Sequence, residues 1–417
     1  MPGDTLWRHR DFRLLWAGQT ASQFGTFVGV TVLPVLAVTT LAATPLEMGL
    51  LTAAENAAFL LLGLPAGVWV DRMRRRPLMV RADLIRGLLL LTIPLAWWAG
   101  ALTLVHLVTV ATLVGACTVF FDIAYQSYLP SLVGRGKLVD GNAKLQVSQS
   151  VANVGGPGLA GTLTHLLGAA NALATVGGSY LASAWFLRRI RTEEPPPTPH
   201  AGQPGLRAQV AEGLRFVFTT PSLRAITLCT ASANFAGGMF TAVEVLFLTR
   251  ELHLSPAGVG WLLACHGVGG VLGAVTAGRL LERVGLVRAI WLVPLVTWPA
   301  QLLVPLSEPD WRIALAAVAF VIVSYGIIVY NVAQVSYRQT LCPDHLLGRM
   351  NASVRFLVWG VLPIGSLLGG VAGQWLGVSA TVWLCSAGNV LALLWVLLSP
   401  LRRTPDPVPP STRPVAS

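Results

Sequence analysis

Charge is what this sequence has least of: only 11% of its 417 residues are Asp, Glu, Lys or Arg, against about a quarter in an ordinary soluble domain. A water-soluble chain of this length needs charged side chains over most of its surface, so the composition excludes one. Cysteine is also scarce. Cys117, Cys229, Cys265, Cys342 and Cys385 are odd in number, far apart and mostly inside apolar runs, which indicates packing residues, not a disulfide framework or a metal site. Lysine is confined to Lys137 and Lys144, and arginine supplies most of the positive charge behind the net +11. The arginines form short clusters between apolar runs, without the aromatic or glycine-rich pattern of a nucleic-acid surface, so no nucleic-acid partner is expected. The sequence has no phosphate-binding loop ending in Gly-Lys-Ser or Gly-Lys-Thr, no His-Glu-x-x-His and no Gly-x-Ser-x-Gly, and His106, His165, His253 and His266 are scattered. Nucleotide-driven and enzymatic readings therefore lack residues to carry them, and no cofactor is expected. A channel stays open in principle.

Apolar residues are abundant, at 54%. Spanning about 30 Å of hydrocarbon takes about 20 helical residues. Twelve segments meet that length, near 13–41, 47–70, 78–99, 102–129, 144–168 and 170–190, then 222–249, 256–281, 286–306, 312–340, 350–375 and 378–400. Between the sixth and seventh lies RTEEPPPTPHAGQPG, Arg191 to Gly205, whose prolines cannot continue a helix. The expected organisation is a six-helix bundle over 1–190, a cytoplasmic linker over 191–210, and a second six-helix bundle with a short tail over 211–417. The fold class is all-α integral membrane, in two pseudo-symmetric halves.

Basic loops stay in the cytoplasm, and here they fall on one side. Arg8, Arg10 and Arg13 precede the first helix, Arg72, Arg74, Arg75 and Arg76 follow the second, and Arg402 and Arg403 follow the last. The other side has little beyond Arg250 and Arg312. Both termini are expected in the cytoplasm of a cell that places this multi-pass protein in its inner or plasma membrane. No small-residue cleavage site follows the first arginines, so a removable signal peptide is not expected.

The chain also repeats at half its length. Thr20, Ala21 and Ser22 recur as Thr230, Ala231 and Ser232; Gly67, Asp71 and Arg72 face Gly278, Glu282 and Arg283; Gly156, Leu159 and Gly161 recur as Gly365, Leu368 and Gly370. Duplicated halves in a membrane protein suggest a site at their interface near the bilayer midplane, with access alternating between sides.

After the second segment comes Gly67-Val-Trp-Val-Asp71-Arg72-Met-Arg74-Arg75-Arg76-Pro77, which resembles motif A of the major facilitator superfamily, with Arg74 where the family has glycine. The resemblance covers essentially the whole chain and implies a twelve-helix drug or metabolite exporter of proton-antiporter type, monomeric and embedded in lipid. It nominates Gly67, Asp71, Arg72, Arg75, Arg76 and Asp122 as a conformational latch. In that latch Asp71 meets the helix beginning near Met350 and Arg75 pairs with Asp122; the alternative is a static ion pair. Gly155-Gly156-Pro157-Gly158-Leu159-Ala160-Gly161 resembles the antiporter motif C, with Gly156, Pro157 and Gly161 at its core. Proline there bends the helix and the small residues permit close approach.

Ionisable groups inside hydrocarbon are costly and so become functional candidates. Glu55 lies about 18 Å from Gly67 along the second helix, and a buried carboxyl can hold a coupling proton or simply hydrogen-bond beside Asn56. Glu244 either couples protons or reaches water at the outer helix end. His266 titrates, binds substrate or packs. Asp83 and Arg86, three apart, suit an internal pair; Arg355 snorkels or joins the motif A network. Trp97 and Trp98 suit a headgroup anchor. The family resemblance places a central cavity among helices one, four, seven and ten, which makes Gln19, Gln23, Asn234, Tyr325, Asn331 and Gln334 its polar candidates. Such a cavity suits an amphipathic organic molecule, cationic ones included, moved outward at the expense of the proton gradient. A dedicated exporter of a self-made metabolite such as a siderophore is the alternative.

Overall fold

A computed structural model describes residues 6–71, 73–134, 138–192, 194, 206–342 and 344–404; within these the side chains at 63–65, 67, 68, 71, 127, 138–140, 143, 206–210, 344–349 and 352 are not described. Among the described residues there is no strand, and the helices run end to end. The first half is α1 (Arg10–Thr40), α2 (Pro45–Asp71), α3 (Arg75–Trp98), α4 (Leu104–Val133), α5 (Leu138–Leu167) and α6 (Ala169–Arg188). A short α7 (Leu206–Thr219) follows. The second half is α8 (Pro221–Leu246), α9 (Pro256–Val284), α10 (Leu286–Thr297), α11 (Ile313–Leu341), α12 (Asp344–Leu376), α13 (Val378–Leu391) and α14 (Leu394–Leu397). Discounting α7 and joining α14 to α13, these are the twelve expected spans. Among the described residues, eight of these helices are long and apolar enough to cross a membrane.

The departures have local causes. α7 was not among the expected segments because it is amphipathic and too short to span: Val217 is fully buried against Leu223, Met350 and Val354, while its other face carries Glu212 and Arg215. α8 ends in a π-helical turn, Phe247–Glu251. α10 continues as a 3-10 helix, Trp298–Leu306, where Pro299 and Pro305 lack the amide hydrogens that an α-helix needs. At Arg74 the backbone has φ −68° and ψ 123°, extended geometry open to any residue, so the turn needs no glycine.

The duplication is visible in the backbone. Ala42 and His253, equivalent in the repeat, both adopt φ 51°, and Gly168 and Gly377 adopt φ 81° and 87°. The starts of α2 and α9 are also equivalent. Thr44 and Glu47 exchange hydrogen bonds around Pro45 (2.8 and 3.3 Å), and Ser255 caps α9 ahead of Pro256; both arrangements satisfy the free amides of a helix start.

The halves meet mainly through two helix pairs, α2 with α12 and α5 with α9, with α8 also touching α1 and α2. Each pair crosses at glycines. A Cβ on Gly49 would lie 2.7 Å from the Cα of Gly370, and one on Gly260 would lie 2.7 Å from the Cα of Gly161. Backbones this close exclude any side chain at the crossing.

The apolar core distinguishes the two sides of the molecule. At the ends away from the termini, one continuous cluster joins both halves, with Val32, Leu36, Met48 and Leu51 packed together with Phe240, Val243, Leu262 and Phe320. At the terminus side, among the described residues, Phe12, Val70, Phe121 and Leu145 form a cluster of the first half alone, and Ile226, Ile290, Tyr330 and Val396 one of the second half alone. The described residues join both halves in one core on the far side and keep the cores of the two halves separate on the other.

Candidate functional site

Between the halves lies a cavity of about 350 Å³, walled by α1, α2, α3, α4 and α6 of the first half and by α8 and α12 of the second. Its lining is mostly apolar, with Thr26, Thr52, Asn56, Thr118, Tyr180, Thr241 and Ser366 as polar contributions and Phe59 as an aromatic wall. Among the described residues one carboxylic acid lines it, Glu55, and no basic side chain does. By helical rise Glu55 is about 15 Å from the start of α2, inside any bilayer the helix crosses. Among the described residues no cation lies within ion-pair distance of its carboxyl, and the Asn56 amide donates to the Thr52 carbonyl (2.9 Å) instead. A lone carboxyl facing an enclosed, largely apolar space can take up a proton or a cationic group; either neutralises a charge that lipid and protein leave uncompensated.

Two lining residues, Thr118 and Tyr180, belong as well to a charge cluster that sequence reading undervalued. Asp83 and Arg86 form the expected internal pair, but they are 0% and 1% exposed, about 12 and 16 Å into α3 by helical rise. The Arg86 guanidinium lies over the rings of Tyr180 (4.3 Å) and Phe121 (4.4 Å) and donates to Thr118 Oγ1 and Ser22 Oγ, both at 3.3 Å. Asp122 is a further electrostatic partner of Arg86. The Tyr180 hydroxyl reaches Thr26 Oγ1 (3.0 Å) on the cavity side. The i, i+3 spacing of Asp83 and Arg86 was legible; their depth was not, because a short apolar stretch before Asp83 mimics an interfacial position.

Among the described residues Arg75 and Asp122, the expected latch partners, form no ion pair in this arrangement. Arg75 is held by Glu194 of the linker, whose carboxylate accepts from the backbone amides of Arg75 (2.7 Å) and Arg76 (3.1 Å) and lies 3.8 Å from the Arg75 guanidinium. Arg75 opens α3, where Glu194 reaches its amide, whereas Asp122 lies within α4. Arg76 donates to the carbonyls of Leu187 (3.1 Å) and Arg188 (2.5 Å), and Asp11 accepts from the amides of Arg191 (3.1 Å) and Thr192 (2.8 Å). These contacts tie the linker's first residues to the first half. The chain passes through Gly67, and α2 ends at Asp71; the Asp71 side chain and Arg72 lie outside the described residues.

In α5, Gly156 abuts Phe27 of α1 and Gly161 abuts α9, so both glycines of the antiporter-like motif are close-approach points, with Pro157 between them contributing a carbonyl to the Gly260 contact. None of the six polar cavity candidates lines the 350 Å³ cavity. Gln19 is buried with its Oε1 unpartnered, and Gln23 is half-buried in α1. Asn234 donates to the Val358 carbonyl (2.9 Å), fastening α8 to α12. Tyr325 accepts from Thr276 (3.2 Å), and Gln334 donates to Asn331 (3.3 Å). Sequence reading placed these residues on the right helices but could not assign their rotation. Arg355 is exposed and acts electrostatically on Asp122 across the halves. Glu244 and His266, treated separately above, meet: His266 Nε2 lies 3.1 Å from Glu244 Oε1.

Known proteins share both the sequence pattern and this architecture. The pattern of the transmembrane secretion effector family matches residues 5–413. The chain is 28% identical over 357 residues to the multidrug efflux pump Tap of Mycolicibacterium fortuitum, covering 81% of this chain and 83% of that one. It is 28% identical over 297 residues to the enterobactin exporter EntS of Escherichia coli, covering 67% and 66% respectively. Among solved structures, the nucleoside transporter NupG superposes with a TM-score of 0.79 at 9% identity, covering 95% of this chain and 100% of that one. A bacterial homologue of the iron transporter ferroportin in an inward-facing state gives 0.76 at 17%, covering 94% and 98%. At such identities the superpositions speak for the fold alone.

Proposed function

The chain belongs to the transmembrane secretion effector family of major facilitator transporters, and we propose that it exports small amphipathic organic compounds, drugs or antibiotics among them, in exchange for protons by alternating access. It is a multi-pass membrane transporter and not an enzyme. The observation that carries the finer reading is the cavity between the halves with Glu55 as its one lining carboxyl. A site of this kind binds either a proton or a cationic amphiphile, and mutual exclusion of the two at one carboxyl is the simplest antiport scheme.

Within this reading residues 1–190 and 211–417 are the moving halves and 191–210 the cytoplasmic linker, with both termini in the cytoplasm and the monomer as the working unit. The sealed far side and divided terminus side then correspond to an inward-facing state, in which Glu55 exchanges with the cytoplasm. The motif A residues Asp71 and Arg72 act as the latch of the opposite, outward-facing state, while Arg75 is parked on Glu194. The resemblance to EntS supports a dedicated siderophore-type exporter as the second reading. The cavity's single carboxyl and lack of a lining cation favour cationic or neutral cargo over an acidic one.

The test is efflux of ethidium from energised cells expressing the chain, with and without a protonophore. Proton-coupled export predicts efflux that collapses with the gradient and in Glu55→Gln, and weakens in Asp71→Asn. Efflux that persists at the wild-type rate after the gradient is abolished overturns the coupling.

A further inference from the structure

Glu244, His266 and Ser324 come from three different helices of the second half, α8, α9 and α11, and meet around one imidazole. His266 Nε2 lies 3.1 Å from Glu244 Oε1, and Nδ1 lies 2.9 Å from Ser324 Oγ. The ring stacks on Phe320, with centroids 4.0 Å apart and planes inclined by 21°. The imidazole is 36% exposed and the Glu244 side chain 12%, so the group is neither sealed in the core nor free in solvent. By helical rise His266 and Ser324 are about 15 Å from the far ends of their helices, close to the depth of Glu55 in the first half.

What sets this trio apart from a packing histidine is that its hydrogen bonds survive a change of charge. With the ring neutral, the carboxylate fixes the proton on Nε2, and the serine hydroxyl donates to Nδ1. When a proton is added it goes to Nδ1, the serine rotates to accept, and Nε2 keeps its bond to the carboxylate. No bond partner is lost in either form, and the imidazolium adds a cation over the Phe320 face. A structural pair needs no such symmetry between its two protonation states.

Among the described residues no other charged side chain makes a hydrogen bond or ion pair with the imidazole. The closest approaches of α5 to this stretch of α9 are made by Val154, against Gly267, and Asn153, near Gly270. On α9 the neighbouring Cys265 is engaged with the Trp261 carbonyl and Arg279, Glu282 and Arg283 lie at the terminus end; on α8, Arg224 is at the start and Arg250 and Glu251 are at the far end. On α11, Tyr325 is engaged by Thr276 and Arg338 is at the terminus end; on α5, His165 and Lys144 lie toward opposite ends.

We propose that Glu244, His266 and Ser324 form a second proton-binding site, so that each half of the transporter carries one protonatable centre and the exchange moves two protons per cycle. The proposal rests on the proton-coupled reading of Glu55 and adds to it. Because the trio bridges α8, α9 and α11 within the second half, and α9 also makes the far-side seal with α5, proton binding there favours the sealed, inward-facing arrangement. A tenfold difference in proton affinity between two arrangements shifts their ratio by up to about tenfold.

The experiment needs no ligand. Spin labels are placed at Arg188 and Arg288, exposed at the terminus ends of the two halves, in a cysteine-free background of the full chain in lipid nanodiscs. Distances are measured by pulsed electron resonance at pH 5.5 and pH 8, on the order of one unit either side of the imidazole's ordinary range. The wild-type background is expected to shift toward the longer, inward-facing distance at the acid pH. His266→Gln and Glu244→Gln each remove about half of the response on a logarithmic scale, Glu55→Gln removes the other half, and Glu55→Gln with His266→Gln removes all of it. Ser324→Ala, which leaves the charges in place, weakens the response without abolishing it. A full wild-type response in His266→Gln overturns the second site while leaving Glu55 standing. A full response in Glu55→Gln with loss in His266→Gln overturns the Glu55 reading and moves coupling to the second half alone. No pH response in the wild-type background overturns both.

Discussion

The glycine crossings offer the sharpest mechanical prediction. A Cβ at position 161 would sit 2.8 Å from the Pro256 carbonyl oxygen and 3.0 Å from the Gly260 Cα, where ordinary contact begins at 3.4 Å. The first of these contacts is short by about 0.6 Å, and both obstacles are backbone that cannot swing aside. Relief requires α5 and α9 to part at the far side, and over-packing of this kind costs about 1–3 kcal/mol. The penalty exists only while the far side is sealed, since parting these ends is what an outward-facing state does anyway. Gly161→Ala should therefore shift the ratio of outward- to inward-facing molecules by about 5- to 150-fold. Gly49→Ala, its counterpart at the α2–α12 crossing, should act in the same direction. The assay is the same terminus-side distance measurement between Arg188 and Arg288, in which the outward-facing state gives the shorter distance. An unchanged distribution in both variants, or a shift to longer distances, would refute the claim that these crossings hold the far side closed.

Other parts of the structure make further predictions. Arg86→Ala leaves the fully buried Asp83 carboxylate without its cation and should lower stability by about 3–5 kcal/mol, read as a lowered melting temperature in detergent, with Arg86→Lys rescuing little because it loses the stacking on Tyr180 and Phe121. Arg250 donates across the far side to the Ala43 carbonyl (2.7 Å); Arg250→Ala should cost about 1 kcal/mol of the sealed state and move the distance distribution about fivefold toward the outward-facing population. Glu194→Gln weakens the anchorage of the linker to α3 and should raise the rate of tryptic cleavage after Arg75 in the folded protein, with little change in melting temperature.

How much of this was readable beforehand follows from which physics each feature depends on. Helix number and connectivity follow from the thickness of hydrocarbon and from one-sided arginine clusters, both local properties of sequence, so the twelve spans, including Ala169–Arg188 and Val378–Leu397, were legible. The half-length repeat was legible down to the backbone: Ala42 and His253 share a left-handed conformation although neither is glycine. Rotation of a helix about its axis depends on partners far away in sequence. Hence Gln19, Asn234 and Tyr325 were placed on the right helices yet do not face the cavity, and Glu244 and His266 were assessed singly although they touch. The Arg75–Glu194 contact was not legible for a related reason. Glu194 sits in a proline-rich stretch that composition marks only as unable to fold alone, and nothing local says that its first residues return to the mouth of α3.

The central claim is that Glu55 exchanges a proton for cargo in a cavity that alternates between sides. It is tested most directly in proteoliposomes carrying the purified chain, with ethidium outside and an imposed pH gradient, acid inside. The wild-type chain should accumulate ethidium above its external concentration and stop when nigericin collapses the gradient. Glu55→Gln should lose accumulation while still equilibrating ethidium down its own gradient. Accumulation by Glu55→Gln at the wild-type level would contradict the account.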